Sequence, residues 1–321
     1  MAASQPFSSP QRSWRVWWMA TRPFSFTASV VPVIVGTLVA AAHRFDPVYF
    51  VLAFAGAVLI HAGTNLVNDY YDYIKGTDGP DALGPAGMIQ RGLLTPRQVL
   101  LYGLVCFAGG AAIGIALVAL RGLALLWLGV ASVAAGFFYT AAPVSLAYVG
   151  LGELTVFIFM GPIIVLGAYY VQVGHYDWQP FIVSLPIAFL VTAILHANNL
   201  RDLESDRANS KRTIATFLGR RWANREYYAL IAATYVALVA MVATRVAPWP
   251  VLLALLTLPA AIRAVRFAAT TTQPRKLSLL VRDTAALHMR FGLLLSLGLL
   301  VALVLPHDAL WLAVAVTIAI V

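Results

Sequence analysis

The feature that most limits what this chain can fold into is a series of nine apolar runs. A helix that crosses the hydrocarbon core of a bilayer needs about 20 mostly apolar residues. Only 11% of the 321 residues are charged, against roughly 25% in soluble domains. The sequence therefore predicts an all-α, polytopic membrane helical bundle of about nine transmembrane helices. The predicted spans are Phe24–Ala42, Val48–Val67, Val99–Leu120, Leu123–Tyr139, Leu151–Val171, Phe181–Ala197, Tyr227–Thr244, Val251–Phe267 and Leu287–Leu305.

The positions of the basic residues predict the orientation of the bundle. Of the 22 Lys and Arg residues, 19 lie in or beside the N-terminal segment and the even-numbered loops, and only Arg44, Arg121 and Arg245 lie on the opposite side. Cytoplasmic loops carry the excess of basic residues in membrane proteins. We therefore expect a multi-pass protein of the cell membrane (inner or plasma), with its N-terminus in the cytoplasm. The net charge of +9 is then explained by basic residues in the cytoplasmic loops. The expected partner is the lipid bilayer and not nucleic acid.

Three regions follow from this pattern. Residues 1–23 form a cytoplasmic N-terminal segment, residues 24–305 the transmembrane domain, and residues 306–321 an apolar C-terminal tail. The last apolar stretch of the tail is short for a full crossing. The loop at residues 76–96 is rich in Gly and Pro, which predicts either a lid over a nearby site or a plain connector.

Carboxylates are concentrated in two clusters. Of the 13 Asp and Glu residues, seven follow the second and sixth apolar runs. Asn68 and Asp72 are four residues apart, as are Asp202 and Asp206, so each pair would share one face of a continued helix. Four runs separate the clusters, which suggests two pseudo-repeated four-helix units plus a last helix. The seven acids are Asp69, Asp72, Asp78, Asp81, Asp202, Glu204 and Asp206.

A bound cation would explain why acids collect here. Carboxylates are unfavourable at the negative end of a helix dipole and costly near a membrane. A bound Mg²⁺ ion would offset both costs, because it binds one or two carboxylates together with substrate phosphates. We predict Mg²⁺ ligands at Asn68, Asp69, Asp72, Asp202 and Asp206. Nearby basic side chains would bind the phosphates of a diphosphate substrate; they are Lys75, Arg91, Arg201, Lys211 and Arg212. The alternative is that the acids are ordinary solvated loop charges.

Longer stretches around both clusters carry a resemblance. The segments Asn68-Asp-Tyr-Tyr-Asp72 and Asn199-Leu-Arg-Asp202-Leu-Glu-Ser-Asp206 resemble the two motifs of the UbiA superfamily of intramembrane aromatic prenyltransferases. Within it, the segment from Asn198 to Thr213 is similar to the MenA branch, the 1,4-dihydroxy-2-naphthoate polyprenyltransferases. The chain departs from that pattern at Ala141-Ala142 and at Ser210, where the family has Gly.

The resemblance implies a nine-helix bundle with a central cavity open sideways to lipid. It implies Mg²⁺-dependent transfer of a polyprenyl group from polyprenyl diphosphate to dihydroxynaphthoate, with loss of CO₂ and diphosphate, giving demethylmenaquinone in menaquinone synthesis. The implied catalytic residues are Asp69, Asp72, Asp202, Asp206 and Tyr139. The implied substrate-binding residues, besides the five bases, are Arg22, Asn65, Asn198, Asn199 and His61.

Other functions and roles remain open at the level of sequence. The acceptor could be homogentisate, 4-hydroxybenzoate or a chlorophyllide-type ring. A secondary transporter also combines repeats with polar, broken helices, but it would place polar groups near the bilayer midplane. His61 lies on the same predicted helix face as the first cluster and could contact the acceptor, or it could be a packed core residue. The same two interpretations apply to His196, and Glu153 could shape the acceptor site or merely begin a helix.

Overall fold

The computed structural model describes residues 14–77 and 87–305. Within these residues the chain is helical and forms no β-strand; one isolated parallel bridge joins Val149 to Arg212. Short 3₁₀ segments occupy Pro23–Phe26, Leu146–Tyr148 and Trp249–Thr257. The α-helices are α1 (Trp14–Ala20), α2 (Thr27–Ala41), α3 (Pro47–Ile74), α4 (Pro96–Arg121), α5 (Ala124–Phe137), α6 (Gly152–Ile158), α7 (Ile164–Val173), α8 (Trp178–Ala208), α9 (Ile214–Leu218), α10 (Arg220–Ala243), α11 (Leu258–Thr270) and α12 (Pro274–Val304).

The helices confirm the predicted membrane architecture. In the described part of the chain, eight helical segments are long and apolar enough to cross a bilayer, and α5 is a shorter apolar helix. Each of these segments coincides with one predicted run. The tail at residues 306–321 and the segment before residue 14 lie outside the described residues. So do residues 78–86 of the Gly- and Pro-rich loop, which include Asp78 and Asp81. The division into three regions stays a prediction.

Several helices are longer than the apolar runs that predicted them. The helix α3 continues to Ile74, α8 continues to Ala208, and α12 begins at Pro274. Hydropathy marks only the part of a helix that lies in hydrocarbon, whereas the backbone hydrogen bonds continue into polar sequence. Asp69 and Asp72 consequently lie on the last turns of α3, and the acids of the second cluster lie on the last turns of α8. The helices α3 and α8 end on the same side of the bundle, which we call the motif end.

Small residues allow the helices to approach closely, as is usual in membrane bundles. Gly292 of α12 faces Val31 of α2, and a Cβ atom at this glycine would overlap the valine side chain. Gly161 lies against Ala188 of α8 in the same way. Gly161 and Pro162 belong to a π-helical turn, Phe159–Ile163, that joins α6 to α7. Proline lacks the N–H of a regular helix, which accounts for the irregular turn at this position.

Candidate active site

The first cluster is held by a segment between α5 and α6. Asp72 is buried, and its Oδ1 accepts a hydrogen bond of 2.6 Å from the hydroxyl of Tyr148. The same hydroxyl lies 2.7 Å from Oγ1 of Thr77. Lys75 donates from Nζ to the backbone oxygen of Thr140 and to Oγ of Ser145, both at 2.7 Å. The acid and the base of this cluster therefore each bond to the segment that follows α5.

Each aspartate of the second cluster forms an ion pair. The guanidinium of Arg201 donates two hydrogen bonds, of 2.8 and 2.6 Å, to the carboxylate of Asp202. Lys211 lies 3.4 Å from Oδ1 of the buried Asp206. Burial alone would lower the pKa of Lys211, but the carboxylates of Asp206, Asp72 and Asp202 together raise it above its ordinary value. Lys211 is therefore a cation at neutral pH.

The two clusters meet at the ring of Tyr148. The ammonium of Lys75 lies 3.9 Å from the ring centroid, and that of Lys211 lies 5.4 Å from it. The backbone oxygen of Tyr148 also accepts a hydrogen bond of 3.2 Å from the N–H of Arg212. Sequence reasoning missed Tyr148, because a tyrosine in a loop far from both motifs carries no distinguishing pattern.

Unpartnered oxygen atoms support the predicted cation site. Oδ1 of Asn68, Oδ1 of Asn198 and Oδ2 of Asp206 are buried and have no hydrogen-bond partner among the described residues. Asn68 and Asn198 each lie one helical turn before an aspartate, Asp72 and Asp202 respectively. Buried polar atoms are normally paired, and amide and carboxylate oxygens suit Mg²⁺. The described residues contain no group of three His, Cys, Asp or Glu side chains that could hold a metal, so amide oxygens would have to contribute.

A large apolar cavity opens beneath the two clusters. It has a volume of about 1320 Å³, and its wall includes Asn68, Asn198, Arg22, Arg201 and Tyr139. The rest of the wall is mostly aliphatic and aromatic, from helices α2 to α8 and α12. On α3 the wall extends from Leu52 to Asn68, roughly 24 Å at the helical rise of about 1.5 Å per residue. The cavity thus combines a polar mouth with a long apolar interior.

A chain of hydrogen bonds lines the wall beside the first cluster. Arg22 forms an ion pair with Asp69. Asn65 donates to the backbone oxygen of Thr21 and to Oγ of Ser25, both at 3.0 Å. His61 lies between two serines, with Nδ1 2.7 Å from Oγ of Ser29 and Nε2 3.3 Å from Oγ of Ser25. His61 is thus both hydrogen-bonded within the bundle and part of the cavity wall.

A second buried network lies behind the cluster on α8. Asn199 donates to Oε1 of Glu153 at 2.6 Å. Nδ1 of His196 lies 3.4 Å from the same oxygen, while its Nε2 lies 2.8 Å from the backbone oxygen of Ala223. Glu153, His196 and Asn199 are all buried, and none belongs to the cavity wall. These contacts give the three side chains a role in fixing α8 against α6 and α10.

The remaining predicted residues are less closely grouped. Tyr139 borders the cavity. The side chain of Arg91 is exposed in the turn before α4. No hydrogen bond or ion pair joins it to either cluster within residues 14–77 and 87–305. Arg212 is exposed and contributes its backbone.

The Glu153 network leads to a stability prediction. Changing Glu153 to Leu would remove the acceptor of the Asn199 amide and the nearer of the two carboxylates beside His196, since Glu226 lies 3.8 Å from its Nδ1. An unpartnered buried group costs about 1–3 kcal/mol. We expect the thermal midpoint of the detergent-solubilised protein to fall by several degrees. Glu153→Gln keeps an acceptor for Asn199, so its thermal midpoint should fall less than that of Glu153→Leu. Equal midpoints for Glu153→Leu and the wild type would contradict the assignment.

Comparison with known proteins places the chain in a family. The profile of the UbiA prenyltransferase family matches residues 29–282. A 1,4-dihydroxy-2-naphthoate octaprenyltransferase of Bacillus subtilis (strain 168) is 33% identical over 290 residues, covering 90% of this chain and 93% of that protein. The protein of the same name from Mycobacterium tuberculosis is 36% identical over 275 residues, covering 85% and 92%.

A solved structure gives an independent comparison of the fold. A UbiA homologue from Archaeoglobus fulgidus, bound to GPP and Mg²⁺, matches with a TM-score of 0.59 and 15% identity, over 87% of this chain and 99% of that one. At this identity the likeness shows the fold alone. The family profile covers most of the chain, and relatives exceed 30% identity along nearly all of it. The chain belongs to the UbiA prenyltransferase family and is a prenyltransferase embedded in the membrane.

Proposed function

We propose that this enzyme transfers a polyprenyl group from a polyprenyl diphosphate to 1,4-dihydroxy-2-naphthoate in a Mg²⁺-dependent reaction. The observation that carries the proposal is the pair of unpartnered amide oxygens, on Asn68 and Asn198, at the mouth of a large apolar cavity. A prenyl diphosphate has matching parts, an anionic head that binds metal and a long apolar tail. A second argument is that relatives over 30% identical bear the name of this activity.

The residues present fit a divalent cation between the two clusters. Asn68, Asp72, Asn198, Asp202 and Asp206 would hold it. The two asparagines lie in the cavity wall, Asp72 and Asp202 lie about one helical turn beyond them, and Asp206 lies a further turn along α8 with an unpartnered carboxylate oxygen. Asp69 stays in the predicted ligand set, although its carboxylate is paired with a guanidinium. When bound, Mg²⁺ neutralises charge that develops on the leaving diphosphate.

The side chains of the enzyme perform the remaining tasks. Lys75, Lys211 and Arg201 supply positive charge to the diphosphate, which allows the allylic C–O bond to break. The apolar wall keeps water from the resulting allylic cation. The neutral hydroxyphenyl ring of Tyr139 lies beside the mouth of the cavity, where an aromatic face stabilises a cation.

The acceptor then forms the new bond. The electron-rich ring carbon that bears the carboxylate attacks C1 of the prenyl group, and the C–CO₂⁻ bond breaks to release CO₂ and restore the aromatic ring. No oxidant takes part, so the immediate product is the quinol, and later oxidation gives demethylmenaquinone. Arg22, Asn65 and His61 line the cavity or its mouth and are the proposed contacts for the acceptor. Asn199, bonded to Glu153, would act indirectly.

The orientation belongs to the same proposal. The excess of Lys and Arg at the motif end supports a cytoplasmic location of this end in the cell membrane. A soluble acceptor and the diphosphate head would then reach the clusters from the cytoplasm. The transporter alternative has little support, because the acids lie at the ends of α3 and α8 and not near their middles.

Product analysis by mass spectrometry tests the proposed reaction. Purified protein should convert dihydroxynaphthoate and a prenyl diphosphate to a product heavier by the prenyl group and lighter by CO₂, and chelation of Mg²⁺ should stop the reaction. The control offers homogentisate and 4-hydroxybenzoate in separate reactions with the same donor. Turnover of one of these rings, without turnover of dihydroxynaphthoate, would overturn the proposed acceptor.

A further inference from the structure

The segment between α5 and α6 brings one aromatic side chain into contact with both clusters. Tyr148 donates its hydroxyl to Asp72 on one side and presents its ring to Lys75 and Lys211. Its backbone oxygen accepts from Arg212, and Val149 forms a bridge with the same residue. The cluster on α3 and the loop after α8 are thus connected through a third part of the chain.

We propose that Tyr148 is a positioning residue that holds the metal-binding and diphosphate-binding groups in register. The inference rests on the proposed function, since it assigns the tyrosine hydroxyl to the Mg²⁺ site and the tyrosine ring to the lysines that would bind the diphosphate. The hydroxyl aligns the Asp72 carboxylate toward the cation. The ring holds the two ammonium groups at one place, where the diphosphate would bind.

The geometry separates these two contributions. Among the described residues, the hydroxyl lies beside Oδ1 of Asp72 at 2.6 Å and Oγ1 of Thr77 at 2.7 Å, so it restricts the rotamer of the carboxylate. The ring has no part in those bonds but faces Lys75 at 3.9 Å. Two like charges repel each other, and the face of an aromatic ring offsets part of this repulsion.

Two substitutions distinguish the hydroxyl from the ring. Tyr148→Phe removes the bond to Asp72 and keeps the ring, so the Mg²⁺ concentration for half-maximal binding should rise about tenfold, with a small change in donor affinity. Tyr148→Leu removes both, so the dissociation constant of the donor should also rise, by about threefold to tenfold. The control is Tyr73→Phe, because the side chain of Tyr73 is exposed on the last turn of α3 and makes no hydrogen bond among the described residues.

Calorimetry measures both quantities without turnover. Mg²⁺ is titrated into protein saturated with an unreactive thiodiphosphate analogue of geranyl diphosphate, and the analogue is then titrated at saturating Mg²⁺. A weakened Mg²⁺ affinity in Tyr148→Phe, with an unchanged affinity for the analogue, supports the proposal. Wild-type affinities in both variants would overturn it. If the wild-type protein binds neither Mg²⁺ nor the analogue, the proposed function itself fails, and this outcome is distinct from a failure confined to the variants.

Discussion

Changing Asp72 to Ala is expected to lower the turnover of prenyl diphosphate by roughly a thousandfold or more. Asp72 is buried at the end of α3, and its removal takes away one of the carboxylates that would hold the cation and so offset the charge of the leaving diphosphate. Asp202→Ala should have an effect of similar size from the other side of the site. Single-turnover measurements at saturating donor would show the loss in the chemical step.

The control for this prediction lies on the same helix as Asp202. Glu204 is an exposed acid whose partners, Arg207 at 3.6 Å and Arg220 at 4.0 Å, form surface ion pairs. Such pairs contribute little stability, so Glu204→Ala should retain the wild-type turnover. All three variants should elute as the wild type does in size-exclusion chromatography. Full activity in Asp72→Ala or in Asp202→Ala would refute the proposed cation site.

A large side chain at Gly129 should slow the reaction of long prenyl donors and leave that of short donors nearly unchanged. Gly129 lies on α5 and lines the cavity, and a Cβ atom there would meet nothing within 4 Å. We therefore expect a phenylalanine side chain at this position to extend into the cavity, where the tail of a long donor would lie. It lies eight residues before Phe137, roughly 12 Å along the helix from the end that faces the motifs. We expect kcat/KM for a long polyprenyl diphosphate to fall by at least about tenfold.

The short donor and a neighbouring substitution provide the controls. Dimethylallyl diphosphate ends before it reaches this depth, so its kcat/KM should change little in Gly129→Phe. Ala131→Phe adds the same side chain on the exposed side of α5, outside the cavity wall. It should leave the use of both donors unaltered. If Gly129→Phe used long and short donors as the wild type does, the tail would have to lie elsewhere.

The sequence alone is sufficient to predict the helical bundle and the existence of the two acidic clusters. An apolar run of membrane length leaves the backbone few alternatives to a helix. The spacing of Asn68 and Asp72, repeated at Asp202 and Asp206, is a local property that survives folding because α3 and α8 continue through it. The extent of these helices was underestimated, since hydropathy does not report helix that continues beyond hydrocarbon.

The partners of the site residues could not be predicted, because they depend on contacts between distant parts of the chain. Tyr148 is 76 residues from Asp72, and Glu153 is 46 residues from Asn199. Arg91 illustrates the opposite case, since it is close to the first cluster in sequence but exposed in the structure. Which basic residue approaches which acid follows from the loops, whose paths carry no periodic signal.

The unbroken passage of α3 and α8 from apolar wall to acidic end has a consequence for donors of different length. The helices α3 and α8 carry both the oxygen atoms that would bind the diphosphate head and part of the cavity wall. The distance from the head site to each wall residue on these helices is therefore fixed. A donor anchored by its head would place C1 at one level whatever the length of its tail. Added isoprene units would extend only the far end, so the distance from C1 to the acceptor would stay constant along the homologous series.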